Sequence, residues 1–458
     1  MNIWLPTVSL HSLAIVVSIL AYILTTRAGR VRRPPSIAIA WVLGMIALPY
    51  LALPIYLMFG RRKLPRKPSR HSGARPAERH WAKDLIASFG LPESSSALIA
   101  MHQDGTESAA ALVATISSAV SRLDICTYIL GDDAFGREIM QHMMERARSG
   151  AEVRLLLDGV GAIQLPKACF RTLQQGGVET AIFSPLFARK TQGPRNLRNH
   201  RKMVIADGAR LWAGGRNLAV EYFSGAAGAS PWQDLTFDLQ GPVAAAAASQ
   251  FEFDWVCAGG RPASAAIKTA EPVRDSAAGA IGEAQFLPSG PDQSEDTVHS
   301  LLIDACFHVR ERMLAVTPYF VPDVSLETAM RLAARRGVQI DLCIPANSNH
   351  RLADFARNRA LRSLSQAGVN VHLLPYMSHA KAVVFDHTLG LAGSVNLDSR
   401  SLLLNYECAV VFYGLAEINW LASWIEALIP KTSLFECRPP GLLRDLGEGL
   451  LLTVAYQL

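Results

Sequence analysis

Two stretches of this chain combine an imidazole, an ammonium and an amide at matching intervals. The first, NHRKMVIADGARLWAGGRNLA, runs from Asn199 to Ala219 and carries His200, Lys202, Asp207 and Asn217. The second, SHAKAVVFDHTLGLAGSVNLDSRS, runs from Ser378 to Ser401 and carries His379, Lys381, Asp386 and Asn396. Both read H-x-K-x4-D, followed by an asparagine at the same distance from the histidine. Neither copy is a complete catalytic site, since one histidine, one lysine and one amide make only a modest anion contact. Two copies facing each other are stronger. Paired ammonium groups and amides can hold the non-bridging oxygens of a phosphodiester without a metal. Paired imidazoles near neutrality can divide the work, one neutral as nucleophile and one protonated as acid. In-line displacement at phosphorus puts those roles on opposite sides of the phosphate, so the catalytic unit is expected to be the pair.

The elements around the motifs repeat as well. In the first half, LDICTYIL (Leu123 to Leu130) reads as a buried strand, MERARSG closes a helix at Gly150, and AEVRLLLD is a second strand. In the second half, RMLAVTPYF (Arg312 to Phe320), a helix closed at Gly337 and VQIDLCIP keep the same order. GGVETAIF and AGVNVHLL follow as further strands, each leading to a His-Lys motif. A repeat this long indicates duplication of a whole lobe rather than a solenoid. Strands alternating with helices predict an α/β fold whose sheet is largely parallel and covered on both faces. His200 and Lys202, like His379 and Lys381, would share one face of a strand. Each motif then reads as a hairpin, turning at Asp207-Gly208 or at Asp386-His387, that returns the asparagine beside the histidine. Asp207 and Asp386 belong to the signature, but their turn positions favour turn stabilisation over direct chemistry. His387 reads as a turn residue.

The N-terminal residues pose a separate question. From Ile3 to Thr26, and again from Ile37 to Phe59, no side chain carries a formal charge. Both runs are long enough for a bilayer-spanning helix, with Pro49 and Pro54 kinking the second. No basic region precedes the first run, which argues against a cleaved signal peptide. Six basic residues follow the hairpin, from Arg61 to Arg70, against four in its loop (Arg27, Arg30, Arg32 and Arg33). That balance favours cytoplasmic catalytic lobes.

The expected organisation is two transmembrane helices in residues 1–60, a basic linker over 61–80, and a first lobe over 81–260. An Ala/Gly/Pro/Ser-rich linker over 261–284, a second lobe over 285–437 and an amphipathic C-terminal segment over 438–458 complete it. The net charge of +6 suits anionic lipid, phosphate substrates or nucleic acid alike. Seven scattered cysteines with no C-x-x-C pair argue against a zinc site or a disulfide framework.

The two H-x-K-x4-D motifs, with GGRN (Gly214 to Asn217) and GSVN (Gly393 to Asn396) downstream, resemble the signature of the phospholipase D superfamily. Within it the chain is similar to the bacterial cardiolipin synthases over nearly its whole length. The two N-terminal runs, TPYFVPD (Thr317 to Asp323), LNYE (Leu404 to Glu407) and PWQDLTFDLQGP (Pro231 to Pro242) carry that closer likeness. The resemblance implies two duplicated lobes with pseudo-twofold symmetry, mixed sheets flanked by helices, and a bacterial inner-membrane enzyme needing no cofactor or metal. It implies a two-step reaction. His200 attacks the phosphatidyl phosphate of one phosphatidylglycerol and expels glycerol, while His379 serves as general acid and then base. A second phosphatidylglycerol resolves the phosphohistidine to cardiolipin. The near symmetry leaves the reverse assignment of the histidines open.

By the same resemblance, Lys202, Lys381, Asn217, Asn396 and Ser394 contact phosphate oxygens. Gly215 stands at the Ser394 position in the first copy, where one hydroxyl bond would be lost. Glu407, 28 residues after His379, stands where the family places a carboxylate against an imidazole. Asp234, 34 residues after His200, is its equivalent in the first copy. Anionic headgroups are the expected partners, and nucleic acid is not. A phospholipase D that passes the group to water, and a phospholipid-binding scaffold with a decayed site, are the competing readings.

Overall fold

The computed structural model describes residues 10–29, 35–59, 80–185, 196–226, 228–263 and 280–452. Runs rich in Val, Ile and Leu build one fifteen-stranded sheet. Its first half comprises β1 (Ser95–His102), β2 (Arg122–Thr127), β3 (Glu152–Asp158), β4 (Val178–Phe183), β5 (Met203–Ala206), β6 (Arg210–Gly214) and β7 (Thr236–Gln240). The second half begins with β8 (Ala280–Ser289) and β9 (Arg312–Val316). A short β10 (Phe320–Val321) precedes β11 (Gln339–Pro345), β12 (Asn370–Leu374), β13 (Ala382–Phe385) and β14 (Leu389–Gly393). β16 (Glu407–Phe412) and β17 (Ser433–Leu434) complete the fifteen strands, while β10 and β15 (Leu397–Asp398) lie outside them and pair with each other as a separate two-stranded sheet.

Spatial order makes the duplication explicit. The first half runs β1-β7-β6-β5-β2-β3-β4, and the second runs β8-β16-β14-β13-β9-β11-β12 with β17 at its outer edge. The equivalent strands β1 and β8 pair antiparallel, Ser95 opposite Ala284, as a twofold between neighbouring strands requires. The lobes are therefore fused into one sheet rather than merely apposed. Within this sheet parallel pairing is confined to β2-β3-β4 and β9-β11-β12. This corrects the expectation of a largely parallel sheet. The motif hairpins and their return strands make the inner strands antiparallel, so the sheet is mixed.

Helices cover both faces. On one face, helices Pro242–Cys257 and Leu415–Glu426 share a single core with inner strands of both lobes, through Phe251, Trp255, Leu421 and Ile425. On the other face each lobe has its own core. Helices Gly105–Ser118 and Ala134–Arg148 cover the first, and Thr297–His308, Val324–Arg335 and Asn358–Ala367 the second. Local signals end these helices as expected. Asp133 and Asp323 cap helix N-termini through their carboxylates, each cap worth about 1 kcal/mol. Gly150 and Gly337 then take φ of 97° and 95° just beyond the C-termini.

The N-terminal region forms helices Leu10–Gly29, Pro35–Ala47 and Pro49–Phe59 around a small core of Tyr22, Met45 and Tyr56. Pro49, which lacks an N–H donor, accompanies the division of the second apolar run at Leu48. Among the described residues no helix is long and apolar enough to cross a membrane; residues 3–9 of the first expected span lie outside the described residues. Residues 61–79 of the basic linker, 264–279 of the seam and 453–458 lie outside the described residues.

Candidate active site

Each motif does form a hairpin, β5-β6 in the first lobe and β13-β14 in the second. Asp207 and Asp386 sit at the turns with φ of 52° and 49°, a left-handed conformation that costs an L-residue roughly 1 kcal/mol. Hydrogen bonds offset that cost. The Asp207 carboxylate accepts the backbone N–H groups of Val120, Ser121 and Arg122 at 2.7–2.8 Å. Asp386 accepts those of Arg310, Glu311 and Arg312 at 2.9 Å. Both signature aspartates thus tie the hairpin to the start of the neighbouring strand. Among the described contacts neither carboxylate reaches an imidazole.

The histidines and lysines lie just before β5 and β13, outside the sheet ladder rather than on the strands. Here the chain finds its partner in the other lobe. The His200 N–H donates to the Tyr406 carbonyl at 2.8 Å, and the Tyr406 N–H donates back to Arg198. Symmetrically, the His379 N–H donates to the Gln233 carbonyl at 2.6 Å, and the Gln233 N–H to Met377. Glu407 directly follows Tyr406, and Asp234 directly follows Gln233. Each carboxylate is thereby handed to the histidine of the opposite lobe. His200 Nδ1 lies 3.0 and 3.1 Å from the two Glu407 oxygens. His379 Nδ1 lies 2.8 Å from Asp234 Oδ2. Spacing within each copy located the carboxylates, and the fold crosses them. With Nδ1–H fixed on a carboxylate, Nε2 is the reacting atom of each ring.

The third motif position differs between lobes for a steric reason. Ser394 Oγ donates to Glu407 Oε2 at 2.5 Å and accepts the Cys408 N–H at 3.0 Å. Its hydroxyl is thus spent on the carboxylate rather than offered to phosphate. A Cβ at Gly215 would lie 2.2 Å from Asp234 Oδ1, so glycine makes room for the shorter acid. Asn217 and Asn396 are buried, their Nδ2 atoms on Tyr222 Oη at 2.7 Å and Ser401 Oγ at 3.1 Å.

Both lysines are buried with the histidines. Lys202 Nζ donates to the His200 carbonyl at 2.9 Å. Lys381 Nζ donates to the His379 carbonyl at 2.5 Å and lies against the ring, 2.8 Å from Nδ1 and 3.0 Å from Nε2. Burial dominates their titration, lowering Lys202 to about 8 and Lys381, which also feels Lys202, to about 7. Burial also lowers His200 to about 4 and, with Lys381 beside it, His379 to about 3. Burial alone would raise Glu407 and Asp234, but the imidazoles and lysines outweigh it and hold both acids low. Near pH 7 the site's own groups are therefore two neutral imidazoles, two carboxylates and two weakly basic lysines. Each lysine acts on the opposite histidine as well, so the two clusters form one electrostatic unit.

Several residues around this unit carried no signal in the sequence. Tyr128 presents a ring edge to His200 at 5.0 Å, and Tyr222 does the same to His379. Trp232 flanks His379 at 5.9 Å; it lies in the PWQD segment that the resemblance singled out. Arg201, between His200 and Lys202, faces the other way and is fully buried. It donates to Asp254, to Asp292 and the Ser289 carbonyl across the lobe boundary, and to the Glu407 carbonyl. The second copy has Ala380 there, so nothing in the repeat pointed to it.

Comparisons with known proteins agree with this geometry. A family model described as cardiolipin synthase, PLD-like domain, matches residues 112–255 and 302–429. A phospholipase D-nuclease N-terminal model matches residues 14–61. Cardiolipin synthase A of Pseudomonas aeruginosa is 31% identical over 452 residues, covering 92% of this chain and 91% of that protein. Its namesake in Pseudomonas entomophila is 30% identical over 82% of both chains. The crystal structure of phosphatidylserine synthase from Haemophilus influenzae shares the fold, with a TM-score of 0.60 at 14% identity over 83% of this chain and 100% of that one. The doubled motif, its crossed carboxylates and these likenesses together show that the chain belongs to the cardiolipin synthase family of the phospholipase D superfamily.

Proposed function

We propose that this protein is a cardiolipin synthase that transfers a phosphatidyl group from one phosphatidylglycerol to another and releases glycerol. The observation that carries the reading is the buried meeting of two crossed imidazole–carboxylate pairs and two lysines, one set from each lobe. His200 Nε2 attacks phosphorus, and the P–O bond to the departing glycerol breaks. That oxygen takes a proton from His379 Nε2, which receives it from the ammonium of Lys381, 3.0 Å away, and returns it there after the second step. The hydroxyl of a second phosphatidylglycerol then gives its proton to His379 Nε2 and attacks phosphorus, and the P–N bond to His200 breaks. His200 suits the nucleophile's part because, among the described contacts, its Nε2 has no donor on it whereas His379 Nε2 has Lys381. A phosphodiester anion between the lysines offsets the desolvation that lowers their basicity, and restores charged ammonium groups where the transition state needs them.

The N-terminal helices support a membrane setting. Leu13, Val16, Leu20 and Leu24 of the first, and Leu43, Leu51 and Leu57 of the others, are all more than half exposed. Such surface is costly in water. We read it as embedded in the bacterial inner membrane, with the lobes on the cytoplasmic side.

Purified protein incubated with labelled phosphatidylglycerol tests the reaction. Cardiolipin with free glycerol is the expected product. Phosphatidic acid alone would establish a hydrolase, and no turnover would favour a scaffold.

A further inference from the structure

Helix Leu442–Leu452 is bound to the second lobe by its inner side. Glu448 is buried and accepts from Arg362 at 2.5 Å and Arg444 at 3.0 Å. Leu451 and Leu452 pack against Val321, Ala353 and Ala356. Val321 belongs to β10, which pairs with β15, and β15 begins directly after Asn396. The helix therefore sits one strand pair away from the phosphate-binding asparagine of the second lobe.

Its outer side carries apolar residues with no protein cover among the described residues. Leu442, Leu443 and Leu446 are 77%, 86% and 61% exposed, and Leu352 on the adjoining helix is 59% exposed. Beside them an open depression of about 580 Å³ is lined in part by Arg359, Arg362, Ser363, Gln366 and Leu442. Around it Arg359, Arg362 and Arg444 share only two carboxylates, Asp445 and Glu448, leaving one excess positive charge. Leucines on one flank and guanidinium groups on the other complement the two chemistries of an anionic leaflet, acyl chain and phosphate.

We propose that helix Leu442–Leu452, with Leu352 and the arginine-lined depression, is an interfacial element that seats the catalytic lobes on an anionic bilayer surface. The inference rests on the phosphatidyl-transfer reading and deepens it. A phosphodiester must reach buried imidazoles while its acyl chains stay in the membrane, so the lobes need a lipid-facing side near the site.

The test uses the full-length protein and two substrates, phosphatidylglycerol in vesicles and a short-chain form dissolved as monomers. Replacing Leu443→Glu and Leu446→Glu together should lower turnover of the vesicle substrate at least about tenfold, because the lost apolar burial weakens interfacial binding. Turnover of the monomeric substrate should stay unchanged. Equal loss on both would make the helix a structural support and overturn the proposal. A second readout does not depend on turnover. An environment-sensitive fluorophore on Leu443→Cys, in a Cys437→Ser background, should shift to the blue on adding phosphatidylglycerol vesicles and be quenched by brominated acyl chains. A label that stays in water with vesicles present, or is already covered by a second copy without lipid, refutes the inference. Failure of the wild type on both substrates would instead refute the transferase reading, and the fluorophore would still report on the surface.

Discussion

Replacing Gly215→Ser would make the first motif match the second, GSRN beside GSVN, and a reading by motif alone expects it to gain a phosphate contact. The structure predicts the reverse. A Cβ at position 215 would lie 2.2 Å from Asp234 Oδ1 and 2.9 Å from its Cγ. The carboxylate must swing away, losing its bond to His379 Nδ1 at 2.8 Å and its bond from the Leu235 N–H at 2.7 Å. A hydrogen bond to a charged group contributes about 1.5–3 kcal/mol. If the His379 bond is lost at the transition state, that is roughly a 10- to 100-fold fall in rate. The mirror change, Ser394→Gly, removes one hydroxyl donor from Glu407 without a clash and should cost only about tenfold, near 1.4 kcal/mol. Initial rates on labelled phosphatidylglycerol in mixed micelles, with melting temperatures as a folding check, give both values. A Gly215→Ser enzyme within about twofold of wild type, the range of a neutral change near 0.5 kcal/mol, would refute this account of the asymmetry.

Other predictions follow from the same site. Glu407→Gln and Asp234→Asn should each leave the fold intact and cut kcat by about 10²–10⁴-fold, since a misoriented imidazole tautomer loses most of its catalysis; retention of more than half the rate in either would break the crossed-pair model. Arg201→Met leaves Asp254 and Asp292 buried without their shared cation and should cost roughly 3–5 kcal/mol of stability, measured by denaturant unfolding; a change near zero would show that the lobes need no such clasp. Burial lowers both lysines below their ordinary 10.5, to about 8 and about 7, so the unfolded chain binds more protons from about pH 7 to 10.5. The lysines' contribution to the protein's stability should therefore rise with pH over that window. Binding of a monomeric phosphodiester lipid needs charged ammonium groups, so it should take up protons above pH 7 and weaken as pH rises, measured calorimetrically in buffers of different ionisation enthalpy. Zero proton uptake at pH 8.5 would contradict the assignment.

Much of this architecture could be read from residues. The strand–helix–strand order, the glycine-closed helices and the motif hairpins all follow local rules, and the structure shows each of them. The elements that escaped depend on what meets across the molecule. β8 follows an Ala/Gly-rich stretch and itself contains AIGEAQ, with little β-branched character, so its role as the joint between lobes was invisible. Crossing of Glu407 and Asp234 arises because Tyr406 and Gln233 bridge to the other lobe just outside the sheet, and no spacing encodes that. Arg201 meets Asp254 and Asp292 over long separations. The second apolar run looked continuous by composition, yet it divides at Leu48 beside Pro49.

The central claim is that two lobes build one phosphorus centre with His200 as nucleophile. Quenching the protein in alkaline detergent, where a histidine P–N bond survives, during turnover of phosphorus-labelled phosphatidylglycerol, followed by peptide mapping at alkaline pH, tests it most directly. The account predicts label on His200, trapped longest in His379→Ala and absent from His200→Ala. Label on His379 alone would reverse the roles, and steady turnover by either alanine variant would contradict the shared centre itself.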